Sequence, residues 1–326
     1  MSIPDAEPSP TTPRIRLGIS ACLLGEPVRF DGGHKRDNYI IGTLGRFFDF
    51  EAFCPEVAIG LGIPRPTLRI ERRDSLPRVV GVRHPDQDYT DALAGHAHAR
   101  QERLAGLSGF IFKKDSPSCG MERVKIYDAN GAPDKRGVGA FAAEVMRLFP
   151  HLPCEEEGRL GDPTLRENFI ERVLIHHRWT ALLAHGLTPG TLVEFHTRHK
   201  LQFLAHNQAG YRRLGRLVAQ AGSHADLQAL AGEYQREMTE VLRRRATPQT
   251  HANVLEHLAG YLKNALDEGD RRELQQCIAD YRTGQLPLIV PITLLAHHFR
   301  RHPHPWIAQQ YYLRPHPPEL ALRNRI

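Results

Sequence analysis

The feature that most restricts the fold is a change in the spacing of apolar residues at Pro150. Before it, short apolar runs at 17–21, 51–54 and 109–113 have the β-branched and aromatic content of buried strands. They alternate with stretches of helical period at 40–50, 89–105 and 138–148, and a glycine-rich loop passes through Gly32 and Gly33. Strand and helix in alternation predict a layered α/β domain with a largely parallel sheet. After Pro150 only helical periods recur, at 165–185, 188–221, 224–244, 249–267, 270–283 and 291–302. Asp162 followed by Pro163 has the form of an N-cap and first helical residue. The expected organisation is a disordered tail at 1–14, an α/β domain at 15–160 and an all-α domain at 161–326. A chain of 326 residues has room for two such cores. No internal repeat of solenoid length, about 20 to 50 residues, is present.

The longest nearly apolar run, 286–296, contains Pro287 and Pro291 and falls well short of the ~20 residues a spanning helix needs. The first 14 residues hold acids and prolines and lack the apolar core of a secretory signal. A cytoplasmic chain without a membrane segment is therefore expected, and its five cysteines read as reduced thiols rather than a disulfide framework.

Three of these cysteines lie where an expected strand runs into a loop: Cys22 in SACLLGEPVRFDG, Cys54 in CPEVAIGLGIPRP and Cys119 in KKDSPSCG. Open α/β sheets bind ligands at such strand ends. Three thiolates from separate loops can hold a metal with one position open, and thiolates select zinc or an iron–sulfur cluster. No CxxC pair marks a zinc ribbon, so spacing alone leaves structural thiols, zinc and a cluster all open. Cys154 and Cys277 have no comparable setting and read as inert thiols. The GLG at 60–62 is too short for a dinucleotide fingerprint.

Through these three motifs, in this order, residues 15 to about 160 resemble the thiouracil desulfidase family. Residues from about 165 to 320 are similar to the all-α domain often fused behind it, through FHTRHKLQFLAHNQAGYRRLG (195–215) and GQLPLIVPITLLAHHFRR (284–301). The resemblance implies a 4Fe-4S cluster held by Cys22, Cys54 and Cys119, with the fourth iron open to the sulfur of a thiocarbonyl base. It implies attack by water on the carbon bearing that sulfur, with release of sulfide and no net redox change. Glu56 is the expected general base, placed beside Cys54 because alternate residues of an extended segment face one side. Ser116, the first serine of SPSCG, is the expected catalytic hydroxyl. Asp31, Lys113 and Ser118 are candidates for the substrate pocket, Ser118 with the alternative of capping a turn. Arg29 and Lys35 read as loop-solvating charges.

The charge is uneven. Residues 164–326 carry 21 Lys and Arg against 14 Asp and Glu, and residues 1–163 carry 22 against 23. Arginines at 212, 213, 216, 243–245, 271, 272, 300 and 301, beside Tyr211, Tyr261, Tyr311 and Tyr312 as stacking partners for bases, suggest an RNA-docking surface. His199, His206, His257, His297 and His298 follow no metal-binding pattern and read as surface or core residues. The leading reading is an iron–sulfur desulfidase acting on a thiolated pyrimidine such as 4-thiouridine in tRNA. The alternatives are desulfidation of free 2-thiouracil with a structural second domain, and a cluster-containing RNA-binding regulator without chemistry.

Overall fold

A computed structural model describes residues 14–320 and 322–324; of the expected tail, residues 1–13 lie outside the described residues. The chain divides into two compact units at Leu160/Gly161.

In the first unit, β1 (Ile15–Ser20), β2 (Phe48–Phe53), β5 (Phe110–Phe112) and β8 (Cys154–Glu156) form one sheet in the order β2-β1-β5-β8. Every pairing in it is parallel. Buried parallel strands read as continuous apolar runs, and Leu17, Ile19, Phe110, Ile111 and Phe112 are all fully buried. The same unit contains α1 (Asn38–Gly42), α2 (Pro55–Ala58), α3 (Thr90–Ala99), α4 (Gln101–Ala105) and α5 (Ala140–Leu148). Ala97, Leu104, Phe141, Ala142 and Val145 of α3, α4 and α5 pack with Phe53, Phe110 and Phe112 in one core. The rings of Phe110 and Phe112 stack at 4.2 Å, and Phe141 meets both edge-on.

A second sheet, β4-β3-β6-β7, is built from β3 (Leu68–Arg73), β4 (Leu76–Gly81), β6 (Val124–Tyr127) and β7 (Pro133–Gly137). It is mixed, with β3 parallel to β6 and the outer pairs antiparallel. Sequence reasoning did not anticipate it. The expected helix at 40–50 is also corrected: α1 ends at Gly42, a 3-10 turn spans Leu44–Arg46, and β2 begins at Phe48.

The second unit is all helical: α6 (Pro163–His185), α7 (Pro189–His206), α8 (Gln208–Ala219), α9 (Leu227–Arg243), α10 (Pro248–Gly260), α11 (Glu268–Arg282), α12 (Ile289–Arg301) and the short α13 (Pro305–Ala308). Asp162 caps α6 by accepting from the Thr164 and Leu165 N–H groups. The single helix expected at 188–221 is two, because Asn207 leaves helical geometry and its side chain caps α8 through the Gly210 N–H. A buried charge cluster joins these helices. Glu171 accepts from Gln202 and faces His206 Nε2 at 3.0 Å, while His206 Nδ1 faces the Arg244 carbonyl. Both ring nitrogens of His206 therefore meet acceptors, which an imidazolium satisfies. Burial opposes both charges, yet the partner outweighs it: His206 titrates above its ordinary value and Glu171 below.

Gly18 lies where a Cβ would come within 2.3 Å of Phe110 and 2.7 Å of Leu107. Gly18→Ala is expected to lower stability by about 1–3 kcal/mol through overpacking, read as a lower midpoint in a far-UV circular dichroism melt; an unchanged midpoint would contradict this packing. In the helical unit, Glu171→Leu strands a buried imidazolium and is expected to cost about 3–5 kcal/mol. Both tryptophans, Trp179 and Trp306, belong to this unit, so their fluorescence in urea reports it. The Glu171 contribution is present above the ordinary carboxylate pKa and lost as pH falls through its lowered value. That of His206 is present below the ordinary imidazole pKa and lost as pH rises through its raised one, so this pair is expected to contribute most between the two.

Candidate active site

Because the four strands of the first sheet run in one direction, the segments that leave them emerge at one edge. Cys22 lies in the 3-10 turn Ala21–Leu24 directly after β1. Cys54 follows β2 and forms the N-cap position of α2. Lys113 follows β5 and opens the SPSCG loop, where its N–H donates to Ser20 Oγ at 2.9 Å. Glu157 follows β8 and binds the Lys113 ammonium at 2.5 Å. The chain order of the strands reverses direction between β1 and β5, the position at which open α/β sheets form a ligand crevice.

The loop that carries Cys119 is fixed from two sides. The Ser116 hydroxyl oxygen accepts from the Ser118 and Cys119 N–H groups at 3.2 and 3.1 Å. The carbonyls of Pro117 and Ser118 accept the first free N–H groups of α5, from Ala140, Phe141 and Ala142. Gly139 permits this approach, since a Cβ there would lie 2.5 Å from the Ser118 backbone.

Glu56 is the hub of the site. Ser118 Oγ donates to its Oε1 at 2.8 Å, and Arg65 donates to its Oε2 through Nε at 2.8 Å and Nη2 at 2.7 Å. The Arg65 side chain is 3% exposed. It also donates to the Val28 and Gly62 carbonyls at 2.9 and 3.0 Å, and its N–H donates to Phe30 O. One guanidinium thus ties the loop after β1 to the turn after β2. Glu56 reaches this position from a helical turn, Pro55–Ala58, and not from the extended segment expected from sequence.

Cys22 and Cys119 are buried and Cys54 is partly so. Burial pushes the Cys22 thiol up to about 11, against the opposing pull of Lys113 and Arg29. It raises Cys54 as well, with Glu56 adding to the effect. Cys119 is raised by burial, then by the Glu56 charge, and Cys54 and Cys22 both add to it. The three thiols therefore act on one another, and Glu56 acts on Cys54 and Cys119. Among the described residues, no three His, Cys, Asp or Glu lie close enough together to hold a single metal ion.

Of the other sequence candidates, Lys113 stands at the site, its ammonium shared between Glu157 and the Lys114 carbonyl. Asp31 lies on an exposed turn, where it accepts from the Gly33 N–H at 3.0 Å and sits 3.6 Å from Arg29. The Lys35 N–H donates to the Cys22 carbonyl. Sequence reasoning missed Arg65, Ser20 and Glu157; the sole cue for Arg65 was a charged residue between two prolines in an otherwise apolar IPRP.

These residues fall within a match to the family model for 2-thiouracil desulfurase, which covers residues 17–157. The chain belongs to the 2-thiouracil desulfurase family through this domain. A second family model, that of a protein of unknown function, DUF1722, matches residues 200–317. The uncharacterized protein YbgA of Escherichia coli (strain K12) is 35% identical over 158 residues, 48% of this chain and 94% of YbgA. The solved 4Fe-4S-dependent thiouracil desulfidase TudS is 32% identical, over 45% of this chain and 94% of its own, with a TM-score of 0.36.

In the desulfurase domain, Arg65→Met leaves Glu56 and two carbonyls without their buried donor. A stability loss of about 3 kcal/mol or more is expected, with Arg65→Lys losing less because it keeps the charge but not the fork. Denaturant midpoints followed by circular dichroism test this, and equal midpoints for Arg65→Met and the parent would contradict it.

Proposed function

We propose that the chain is an iron–sulfur-dependent desulfidase that replaces the sulfur of a thiolated pyrimidine by oxygen, with 4-thiouridine in tRNA as its substrate. What supports this reading is that the segments carrying Cys22, Cys54 and Cys119 leave one edge of a parallel sheet, with Glu56 bonded to Ser118 beside Cys119. Cysteine thiolates are the usual protein ligands of iron–sulfur clusters. A cationic centre would favour loss of the protons of these buried thiols, and Lys113 and Arg29 act in the same direction on Cys22. Cys22, Cys54 and Cys119 would hold the cluster and leave one iron without a protein ligand. When bound, it supplies a thiophilic Lewis acid for the thiocarbonyl.

The chain's own residues do the rest. Glu56 takes a proton from water as the water oxygen bonds to the carbon that carries sulfur. The remaining hydroxyl proton passes to sulfur as the carbon–sulfur bond breaks, hydrosulfide departs, the base is left with a carbonyl, and Glu56 gives up its proton to solvent; no electrons are gained or lost. Arg65 holds Glu56 in place through one carboxylate oxygen, and Ser118 donates to the other. The oxygen of Ser116 is engaged by two N–H groups, so its O–H proton is the part left to meet the substrate. Lys113 lies at the same edge as a further pocket group. The basic second domain is the reason for naming tRNA, although several of its exposed arginines, including Arg213, Arg243 and Arg272, pair with glutamates. Tyr312 is withdrawn from any base-stacking role, because it is fully buried and bonded to His251.

The test is sulfide release by anaerobically reconstituted protein, with thiolated tRNA and free 2-thiouracil as substrates. Release from tRNA is expected, lost in Cys22→Ala and reduced by roughly 100-fold or more in Glu56→Ala. Release from the free base alone would replace tRNA as substrate, and release from neither would overturn the enzymatic reading.

A further inference from the structure

Two large apolar side chains of the desulfurase domain stand open to solvent on the loops that Arg65 ties together: Phe30, 38% exposed, and Ile63, 43% exposed. Exposed apolar residues scattered singly need no explanation. These two are neighbours. Phe30 lies in the turn after β1, where the Gly32 N–H donates to the Arg29 carbonyl and the Arg29 N–H to the Gly33 carbonyl. Gly32 closes that turn at φ +73°, and a Cβ on it would meet Ile63 Cγ2 at 3.9 Å, so the turn and the loop after α2 touch.

The buried group that aims Glu56 also sets both of them. The Arg65 N–H donates to the Phe30 carbonyl, and its guanidinium donates to the carbonyl of Gly62, the residue before Ile63, as well as to Glu56. It donates further to the Val28 carbonyl, which lies 3.8 Å from Cys54 Sγ. The Arg29 guanidinium sits 5.3 Å from the centre of the Phe30 ring and is near enough to Cys22 to act on its thiol. Phe30 and Ile63 therefore stand in a fixed relation to the carboxylate and to two of the three cysteines. A thiopyrimidine is a flat ring with apolar faces and a polar edge, and proteins hold such rings by stacking them on aromatic side chains. Water adds to the trigonal carbon from above or below the ring plane, so one face has to stay open. One aromatic ring covers a single face and leaves the other to water.

We propose that Phe30 is the platform on which the pyrimidine ring of the substrate stacks, with Ile63 as the apolar wall beside it. The identity of the base rests on the desulfidase reading. Stacking acts on the bound base before and during the reaction alike, so it sets how tightly the ring is held and not how fast the carbon–sulfur bond breaks.

The experiment uses the anaerobically reconstituted full chain and has two readouts. One is equilibrium binding of uridine and uracil, the oxo products, which are not consumed. The other is KM and kcat for sulfide release from thiolated tRNA and 2-thiouracil. The variants are Phe30→Ala, Phe30→Leu, Phe30→Tyr, Ile63→Ala and, as a control, Val193→Ala at an exposed position of α7. Phe30→Ala is expected to weaken binding by roughly tenfold, the loss of one base–aromatic contact. Its KM should rise by the same factor with kcat nearly unchanged, the pattern of uniform binding lost. Phe30→Leu, apolar without a ring, is expected to lose nearly as much, Phe30→Tyr to recover most of it, Ile63→Ala to lose less and Val193→Ala nothing. Iron content should be equal throughout, which separates this pattern from loss of the cluster. Binding with this pattern and no sulfide from either substrate would leave the platform standing while the desulfidase reading falls; sulfide release by Phe30→Ala at the parent KM would do the reverse. Parent-like binding in Phe30→Ala or in Phe30→Leu, or no binding of either product by the parent, would overturn the proposal.

Discussion

Parallel pairing of four short strands is the constraint on which the rest of the desulfurase domain depends. In an antiparallel sheet, the segments after successive strands leave from opposite edges. Here β2, β1, β5 and β8 all point the same way, and Cys22, Cys54, the SPSCG loop and Glu157 come together although they are spread over more than a hundred residues of chain. The pairing in turn rests on Gly18, whose missing side chain gives the Phe110 ring its place in the core. A parallel sheet covered by helices stabilises this arrangement without any contribution from the thiols, so the loops can be shaped by chemistry instead of by packing.

Those loops are held by hydrogen bonds to buried groups rather than by an apolar core of their own. Arg65 is the main tie, because it spans from Val28 to Glu56 and is nearly inaccessible to water. A guanidinium suits this place since it donates in several fixed directions at once and keeps its charge at every relevant pH. The same bonds that close the loop after β1 also aim the carboxylate of Glu56. Structure and chemistry are therefore coupled through one residue, as in other sites where a second layer of groups orients the first.

The parts of the fold that were legible in the sequence are those where burial writes a pattern. β1 and β5 are buried on both faces and read as apolar runs, and Asp162–Pro163 marks the start of α6 because only a few residue types fit a helix N-terminus. The second sheet was not legible because β3 (LRIERR) and β7 (PDKRG) are largely charged and bury little. The break at Asn207 was hidden for the opposite reason: the apolar period runs on through α7 and α8, and only the backbone turn separates them. Of the site, the cysteines stood out by their positions at strand ends. Arg65 did not, since its partners Val28 and Glu56 lie in separate loops and only the fold brings them together. Glu56 was named for its nearness to Cys54, but Pro55 starts a helical turn there, so the geometry that carries it differs from the extended one expected.

The central claim is that three cysteines of the sheet edge hold one iron–sulfur cluster. The most direct measurement is iron and sulfide content, with Mössbauer spectra, of anaerobically reconstituted protein in which each cysteine is replaced in turn. The account predicts a 4Fe-4S centre in the parent and in Cys154→Ala and Cys277→Ala, and its loss in Cys22→Ala, Cys54→Ala and Cys119→Ala. An intact centre in any of these last three, or its loss with Cys154, would contradict the account.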